Sequence, residues 1–208
     1  EYCLDFYAAT ACALLDQLGV RQCHWLGTSM GGAIGIRLAA GALRGRMRRL
    51  VLNDMGPSIA APALARIRDY AGNPASFRTV GELEAYFRTI YQPFGWLSDT
   101  QWRRLAETSV RRLPDGSVTP HYDPRMVLQF VHYPDDYEQW DAYDTIDIPV
   151  LCLRGERSDL LLPETAEEMR RRGPKAVVVN IPDCGHAPAL NVPDQIGLIE
   201  RFLAADSP

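Results

Sequence analysis

One serine lies in a motif whose neighbours suit a nucleophile. Ser29 is the centre of Gly27-x-Ser29-x-Gly31, after a short apolar segment and before a helical pattern. A sharp strand-to-helix turn crowds the backbone, so it needs small residues beside the serine, and it lifts the hydroxyl out of the sheet. It would also aim the N–H of Met30, at the start of the helix, toward an oxyanion. By itself the motif fits nucleophilic catalysis and a glycine-rich turn of no chemical role equally well.

A histidine late in the chain is the candidate base. A serine needs a base to become nucleophilic near neutral pH. His186 follows directly on the last apolar segment, and the loop after a parallel strand opens onto the sheet edge where ligands gather. His24 lies inside a strand pattern, so we expect it to pack against neighbours. We expect His121 and His132 to be structural or surface residues.

Two aspartates compete for the role of the acid that orients the imidazole. Asp159 follows the apolar strand before that of His186 and precedes this histidine by about one strand-helix-strand step. Asp54 ends an earlier strand and would lie at the same edge of the sheet. Either gives the chain order Ser, Asp, His, which one type of hydrolytic triad shows. We expect Asp159 to be the acid, with Asp54 as the alternative, and Glu156 to be a loop residue.

The elements that must position these residues alternate between strand and helix. Short apolar runs predict strands at 24–26, 50–53, 149–153 and 176–181. Helical spacing and end signals predict helices at 4–18, 31–40, 163–172 and 193–204. Near-continuously apolar strands that alternate with helices indicate a parallel sheet covered on both faces. The sequence predicts an α/β fold whose core comprises residues 1–56 and 148–208.

The stretch between these core parts breaks the alternation. Residues 57–147 read mainly as helices, at 62–70, 80–90, 98–110 and, more weakly, 124–131, with a Pro-Asp-Gly turn at 114–116. We expect this stretch to form a helical cap over the strand ends. Its aromatic residues suggest that the substrate carries an apolar or aromatic group, although each could belong instead to the cap's own core. The candidate substrate contacts are Trp96, Trp102, Trp140, Phe94 and Tyr91.

Composition limits the remaining function classes. The chain has 208 residues, 47% of them hydrophobic and 23% charged, with a net charge of −4, as in an ordinary globular domain. No basic patch suggests nucleic acid, and no apolar run is long enough for a membrane span. Five cysteines without CxxC spacing predict neither disulfides nor zinc and fit a reduced, cytoplasmic compartment. We expect no metal and no cofactor.

Taken together, four segments resemble the α/β-hydrolase superfamily. They are residues 27–32 (GTSMGG), 50–54 (LVLND), 153–159 (LRGERSD) and 185–188 (GHAP). Their order makes the chain similar to the capped bacterial serine esterases, enol-lactonases and carbon–carbon bond hydrolases, which are cytosolic. The resemblance implies that Ser29 is the nucleophile, His186 the base and then the acid, and Asp159 the orienting acid. It also implies that the segment 57–147 is the cap.

One departure from the family concerns what precedes the serine. In the family the nucleophile follows the fifth strand of an eight-stranded sheet, whereas here only one helix and one strand come before Ser29. About 60–90 residues of earlier strands would be missing at roughly 30 residues per strand-helix unit. The His-Gly loop that supplies a second oxyanion donor would be missing with them. We therefore expect an upstream segment or another chain to complete the sheet, and this chain alone to be inactive.

The resulting functional hypothesis is a serine hydrolase for a small-molecule carboxylic ester, lactone or similar acyl compound. An acyltransferase or a cofactor-free haloperoxidase could use the same three residues. A non-catalytic binding protein on the same scaffold is a further alternative, because a fold does not determine a function. The sequence leaves the substrate and the oligomeric state open.

Overall fold

The computed structural model describes residues 2–205, which form nine α-helices and six strands. The helices are α1 (Leu4–Gln17), α2 (Met30–Ala40), α3 (Ala61–Gly72), α4 (Val80–Ile90), α5 (Asp99–Thr108), α6 (Gln129–His132), α7 (Trp140–Asp144), α8 (Pro163–Met169) and α9 (Pro193–Ala204). The strands are β1 (Cys23–Thr28), β2 (Met47–Asn53), β3 (Val110–Arg112), β4 (Val118–Pro120), β5 (Val150–Gly155) and β6 (Val177–Ile181). Two 3₁₀ segments lie at Gln92–Phe94 and Pro124–Leu128.

The main sheet is parallel and has the strand order β1-β2-β5-β6. Every residue of β5 is buried, and so is every residue of β2 except Arg48. Strands that are covered on both faces need apolar side chains on both, which explains their near-continuous hydrophobic runs. The prediction of a doubly covered parallel sheet is confirmed.

The two faces of the sheet pack against different helices. Successive side chains of a strand point to opposite faces. On one face Leu50, Leu52 and Cys152 join a cluster that includes residues of α1, α2, α7 and α8. On the other face Val51 and Leu153 pack with α9. Truncating a fully buried leucine of such a core to alanine costs about 2–5 kcal/mol.

The segment between β2 and β5, here called the insert (residues 57–147), is mostly helical, as predicted. It has a core of its own around Leu83, Phe87 and Trp102. Two features of the insert were not predicted. The Pro-Asp-Gly turn joins β3 and β4 into an antiparallel hairpin, whose strands of three residues are too short to show alternation.

The second unpredicted feature is α7, at the end of the insert. Tyr143 of α7 is fully buried in the main core, and its hydroxyl donates a 3.1 Å hydrogen bond to the carbonyl of Met169. The last helix of the insert therefore packs with the sheet rather than over the strand ends. The weakly predicted helix at 124–131 divides into a 3₁₀ segment and the single turn of α6.

Candidate active site

The carboxyl ends of the strands meet at one edge of the sheet, and the candidate residues follow them directly. Thr28, at the end of β1, pairs with Asn53, at the end of β2. Ser29 and Asp54 are the next residues of the two strands. Because β1 and β2 end at the same level of the sheet, the side chains of Ser29 and Asp54 leave the backbone at neighbouring positions. His186 comes from the loop that follows β6.

The turn at Ser29 has the geometry that the glycine motif predicts. Ser29 has φ 53° and ψ −122°, a conformation that L-residues rarely adopt, and α2 begins at the next residue. A Cβ on Gly27 would lie 2.1 Å from the carbonyl oxygen of Gly31, and one on Gly32 would lie 2.7 Å from the Cβ of Met55. Glycine therefore lets strand and helix approach closely at the serine.

His186 is held against the strand ends by close backbone contact. A Cβ on Gly155, the last residue of β5, would lie 2.1 Å from the carbonyl oxygen of Gly185. The amide of Asn53 donates to the carbonyl of Pro188 at 2.9 Å and to the hydroxyl of Thr28 at 3.0 Å. The loop is thus tied to the ends of β1, β2 and β5.

Three side chains form a continuous hydrogen-bonded chain. His186 Nε2 lies 2.8 Å from Ser29 Oγ, and His186 Nδ1 lies 2.7 Å from Asp54 Oδ2. A carboxylate can only accept hydrogen bonds, so Nδ1 carries the hydrogen when the imidazole is neutral. Nε2 is then the acceptor for the serine hydroxyl. This is the arrangement that a general base needs in order to take a proton from Ser29.

The carboxylate of Asp54 is fully buried and accepts three hydrogen bonds. The donors are the N–H of Gly155 at 2.8 Å, the hydroxyl of Ser158 at 2.5 Å and Nδ1 of His186. Asp54 itself has φ 52°, in the left-handed region that residues other than glycine rarely adopt. Buried carboxylates need such partners because burial without them costs several kcal/mol.

The structure corrects the expectation for Asp159. This residue is exposed and forms a paired contact with Arg66 of α3, at 2.9 Å and 3.0 Å. The physical reason is the turn after β5, closed by a 2.9 Å hydrogen bond from the N–H of Ser158 to the carbonyl of Gly155. The turn brings Ser158, and not Asp159, to Asp54. The alternative acid of the sequence analysis, Asp54, is the carboxylate that contacts His186.

Ser158 and Asn53 were missed by sequence reasoning. Ser158 also accepts hydrogen bonds from the N–H groups of Leu160 and Leu161, at 3.2 and 3.1 Å. Their side chains hold Asp54 and the His186 loop, but a lone serine or asparagine has no sequence signature for that role. The position of each at or just beyond a strand end was the available signal.

Two spaces meet at Ser29 and His186, which line both of them. The smaller, of about 130 Å³, lies between the sheet edge and the insert and is mostly apolar, with Met30, Leu64 and Phe130 in its wall. The larger, of about 560 Å³, is lined by more polar groups, including Arg66, Arg157 and Asp159. The serine therefore lies at the junction of a small apolar space and a wider one whose lining also includes charged side chains.

The aromatic candidates divide between these spaces and the protein core. Tyr91 and Phe94 line the larger space, with their rings stacked at 4.7 Å. Trp96, Trp102 and Trp140, which were also expected to contact substrate, line neither space. Trp102 lies in the core of the insert, Trp140 packs against the main core, and Trp96 is 69% exposed.

The other histidines and the cysteines lie outside this hydrogen-bonded chain. His24 is exposed, contrary to expectation, and His121 and His132 are also exposed. Burial raises the pKa of the Cys184 thiol to about 11 and also raises that of Cys152, so both stay protonated near neutral pH.

Within residues 2–205 no group of three or more potential ligands is placed to hold a metal ion. No helix in the same range is long and apolar enough to cross a membrane.

Comparisons with known proteins identify the family. A model of the alpha/beta hydrolase family matches residues 2–196. The 3-hydroxybutyrate-oligomer hydrolase of Cupriavidus necator is 39% identical over 210 residues, covering 97% of this chain and 71% of that protein. The N-formylmaleamate deformylase of Pseudomonas putida is 29% identical over 192 residues, covering 89% of this chain and 65% of that protein. The chain belongs to the alpha/beta hydrolase family.

A solved structure agrees with this result. The crystal structure of an alpha/beta hydrolase from Novosphingobium aromaticivorans superposes with a TM-score of 0.82 at 33% identity, covering 97% of this chain and 72% of that one. The resemblance drawn from the four sequence segments is therefore confirmed. With relatives named as hydrolases, the chain is an alpha/beta hydrolase enzyme.

Proposed function

We propose that this protein is a serine hydrolase that cleaves a carboxylic ester or a similar acyl compound through Ser29, His186 and Asp54. The observation that carries the proposal is the hydrogen-bonded chain between these residues, with distances of 2.8 and 2.7 Å. Hydrolase activity on ester-like substrates is also supported by the relatives, one of which is named for hydrolysing 3-hydroxybutyrate oligomers.

The reaction proceeds in two balanced halves. Ser29 Oγ attacks the carbonyl carbon while its proton moves to His186 Nε2, which leaves a tetrahedral intermediate with a negatively charged oxygen. The carbon–oxygen bond to the alcohol then breaks, and the proton on Nε2 leaves with the alcohol. Water attacks the acyl-enzyme, again losing its proton to Nε2, and the proton returns to Ser29 as the acid departs. Asp54 stabilises the imidazolium in both halves.

The N–H of Met30 is the proposed donor to the oxyanion. Met30 is the first residue of α2, and the first N–H groups of a helix have no partner within it. It directly follows the nucleophile, which places its N–H beside the developing charge. Loss of one such donor typically costs about 10²–10³-fold in kcat.

The insert is proposed to act as the cap of this site. Its helix α3 contributes Leu64 and Ile67 to the smaller space, and the segment 126–137 contributes the opposite wall. We propose that the smaller space receives the acyl group, whose carbonyl must reach Ser29, and that the larger space receives the alcohol. A volume of about 130 Å³ is below the ~300–1,000 Å³ typical of drug-sized ligands, which favours a short acyl chain.

A fluorophosphonate probe tests the nucleophile. The full-length protein should be labelled, and Ser29→Ala should abolish both labelling and the turnover of 4-nitrophenyl butyrate. Ser58→Ala is the matched control, because Ser58 contacts Glu138 at 2.8 Å and lies outside the hydrogen-bonded chain. Undiminished labelling of Ser29→Ala would exclude the proposed mechanism.

A further inference from the structure

An unpaired amide lies in the wall of the smaller space. Gln129, the first residue of α6, is 1% exposed and is one of the residues that line this space together with Ser29 and His186. Within residues 2–205 no group accepts a hydrogen bond from its Nε2. Leaving a buried donor unpaired costs about 1–3 kcal/mol, so an amide in this position calls for an explanation.

The oxygen of the same amide has a partner. The hydroxyl of Tyr137 donates a 3.4 Å hydrogen bond to Gln129 Oε1. Tyr137 is 6% exposed and also lines the space, and burial raises the pKa of its hydroxyl, which keeps the hydroxyl protonated as a donor. With Oε1 engaged, the unpaired group of the amide is the Nε2 donor.

The unpaired Nε2 donor belongs to a residue in the wall of a space whose lining is mostly apolar. Most of the other residues that line the space are apolar and include Met30, Met55, Ile59 and Phe130. Binding sites of this kind use a few polar groups in an apolar lining to orient the ligand. A wholly hydrocarbon acyl chain would fill the space and leave Nε2 unpaired, whereas a chain with one oxygen atom would pair it.

We propose that Gln129 determines substrate specificity by donating a hydrogen bond to a hydroxyl group on the acyl chain, so that the substrates are short hydroxyacyl esters. This inference rests on the proposed function and names its substrate class. Discrimination follows because a site built to bond a hydroxyl rejects the analogue that lacks it. The hydroxyl oxygen accepts from Nε2, while the acyl carbonyl remains at Ser29.

Paired esters test the inference. The probes are 4-nitrophenyl butyrate and the two enantiomers of 4-nitrophenyl 3-hydroxybutyrate, used with the full-length protein. We expect kcat/KM to be about tenfold or more higher for one hydroxy enantiomer than for the butyrate ester, as one hydrogen bond allows. Gln129→Met, which keeps the length of the side chain, should bring the ratio of kcat/KM between this hydroxy ester and the butyrate ester close to one.

Gln195→Met is the matched control. Gln195 on α9 also has a buried amide oxygen without a partner, but it does not line the smaller space. Its substitution should leave the ratio between the esters unchanged. A second measurement leaves Gln129 unchanged. In calorimetric titration of the Ser29→Ala variant, 3-hydroxybutyrate should bind more tightly than butyrate.

The outcomes separate the inference from the proposed function. If all three esters are turned over in a Ser29-dependent way with equal kcat/KM, or if Gln129→Met keeps the preference, the role of Gln129 is wrong and the hydrolase remains. Equal affinities for the two acids in Ser29→Ala would also overturn it. If no ester is turned over, or if turnover survives Ser29→Ala, the proposed function fails and the inference fails with it.

Discussion

Asp54 Oδ2 lies 2.7 Å from Nδ1 of His186, although 132 positions separate the two residues in the chain. The contact arises because β2 ends beside β1, and the loop after β6 folds back over both strand ends. A carboxylate in this position selects the imidazole tautomer with its hydrogen on Nδ1, which leaves Nε2 as the acceptor for the Ser29 hydroxyl. In the proposed mechanism it also balances the positive charge that the imidazole gains.

The first prediction concerns the choice between two aspartates. Asp54→Asn should lower kcat by about 10⁴-fold, because an amide cannot balance the imidazolium and can hold the wrong tautomer. Asp159→Asn should change kcat by no more than a few-fold, because Asp159 contacts Arg66 and not His186. Steady-state kinetics of the two variants on 4-nitrophenyl butyrate measures the difference. Equal losses in both variants would contradict the geometry.

Ser158 should act as a positioning residue for Asp54. Its hydroxyl donates at 2.5 Å to the same carboxylate oxygen that faces His186. Hydrogen bonds to charged groups contribute about 1.5–3 kcal/mol, so Ser158→Ala should reduce kcat by roughly 10–100-fold. KM should change little, because Ser158 does not line either space at Ser29.

Ser158→Thr provides the control for this second prediction. It keeps a hydroxyl and should recover part of the lost kcat if the hydrogen bond to Asp54 is the cause. A variant Ser158→Ala that raises KM while kcat stays constant would show that Ser158 acts on substrate binding instead.

The sequence was sufficient for the features that depend on local pattern. Apolar runs and helix end signals located the strands and helices of the sheet to within a few residues, and the glycines around Ser29 predicted its turn. The choice between Asp54 and Asp159 depends on the path of the loop after β5. That path is set by the bonds of Ser158 to Gly155 and Asp54, which are absent from any local pattern.

Most residues that line the two spaces at Ser29 were not predicted, for a related reason. Aromatic residues can fill a core as well as a binding site. Trp102 packs in the core of the insert, and Trp140 packs against the main core. Gln129 lies 100 positions after Ser29 on a helix of only one turn, where periodicity gives little signal. Only the packing of the insert against the sheet edge brings its amide to the space beside the nucleophile.

The third prediction concerns the ion pair between the insert and the core. Arg66 of α3 and Asp159 after β5 form a double contact, but their side chains are 49% and 56% exposed. Exposed pairs contribute about 0.2–1 kcal/mol and are screened by salt. A double-mutant cycle with Arg66→Met and Asp159→Asn, measured by denaturant unfolding, should give a coupling energy in this range. A coupling energy that does not fall at high salt would contradict the prediction.

The fourth prediction follows from the buried thiol beside the histidine loop. Because burial raises the pKa of Cys184 to about 11 from 9.0, iodoacetamide near pH 8 should leave it unmodified in the folded protein and modify it after unfolding. Mass spectrometry of the alkylated peptide measures this. The unfolded thiol loses its proton first, so this residue also lowers the free energy of unfolding as the pH rises from about 9 to 11. In Cys184→Ala that decrease should be smaller.

The last prediction concerns the glycine that allows β1 and α2 to meet at the nucleophile. A Cβ on Gly27 would lie 2.1 Å from the carbonyl oxygen of Gly31, so Gly27→Ala must open the turn. We expect the free energy of unfolding to fall by about 2–4 kcal/mol and labelling of Ser29 to be lost. Gly81→Ala on α4 is the control, because its Cβ would meet only the Thr79 hydroxyl at 3.8 Å, and alanine favours a helix by up to ~1 kcal/mol. If Gly27→Ala has the same free energy of unfolding and the same labelling of Ser29 as Gly81→Ala, the close approach at this turn does not position the serine.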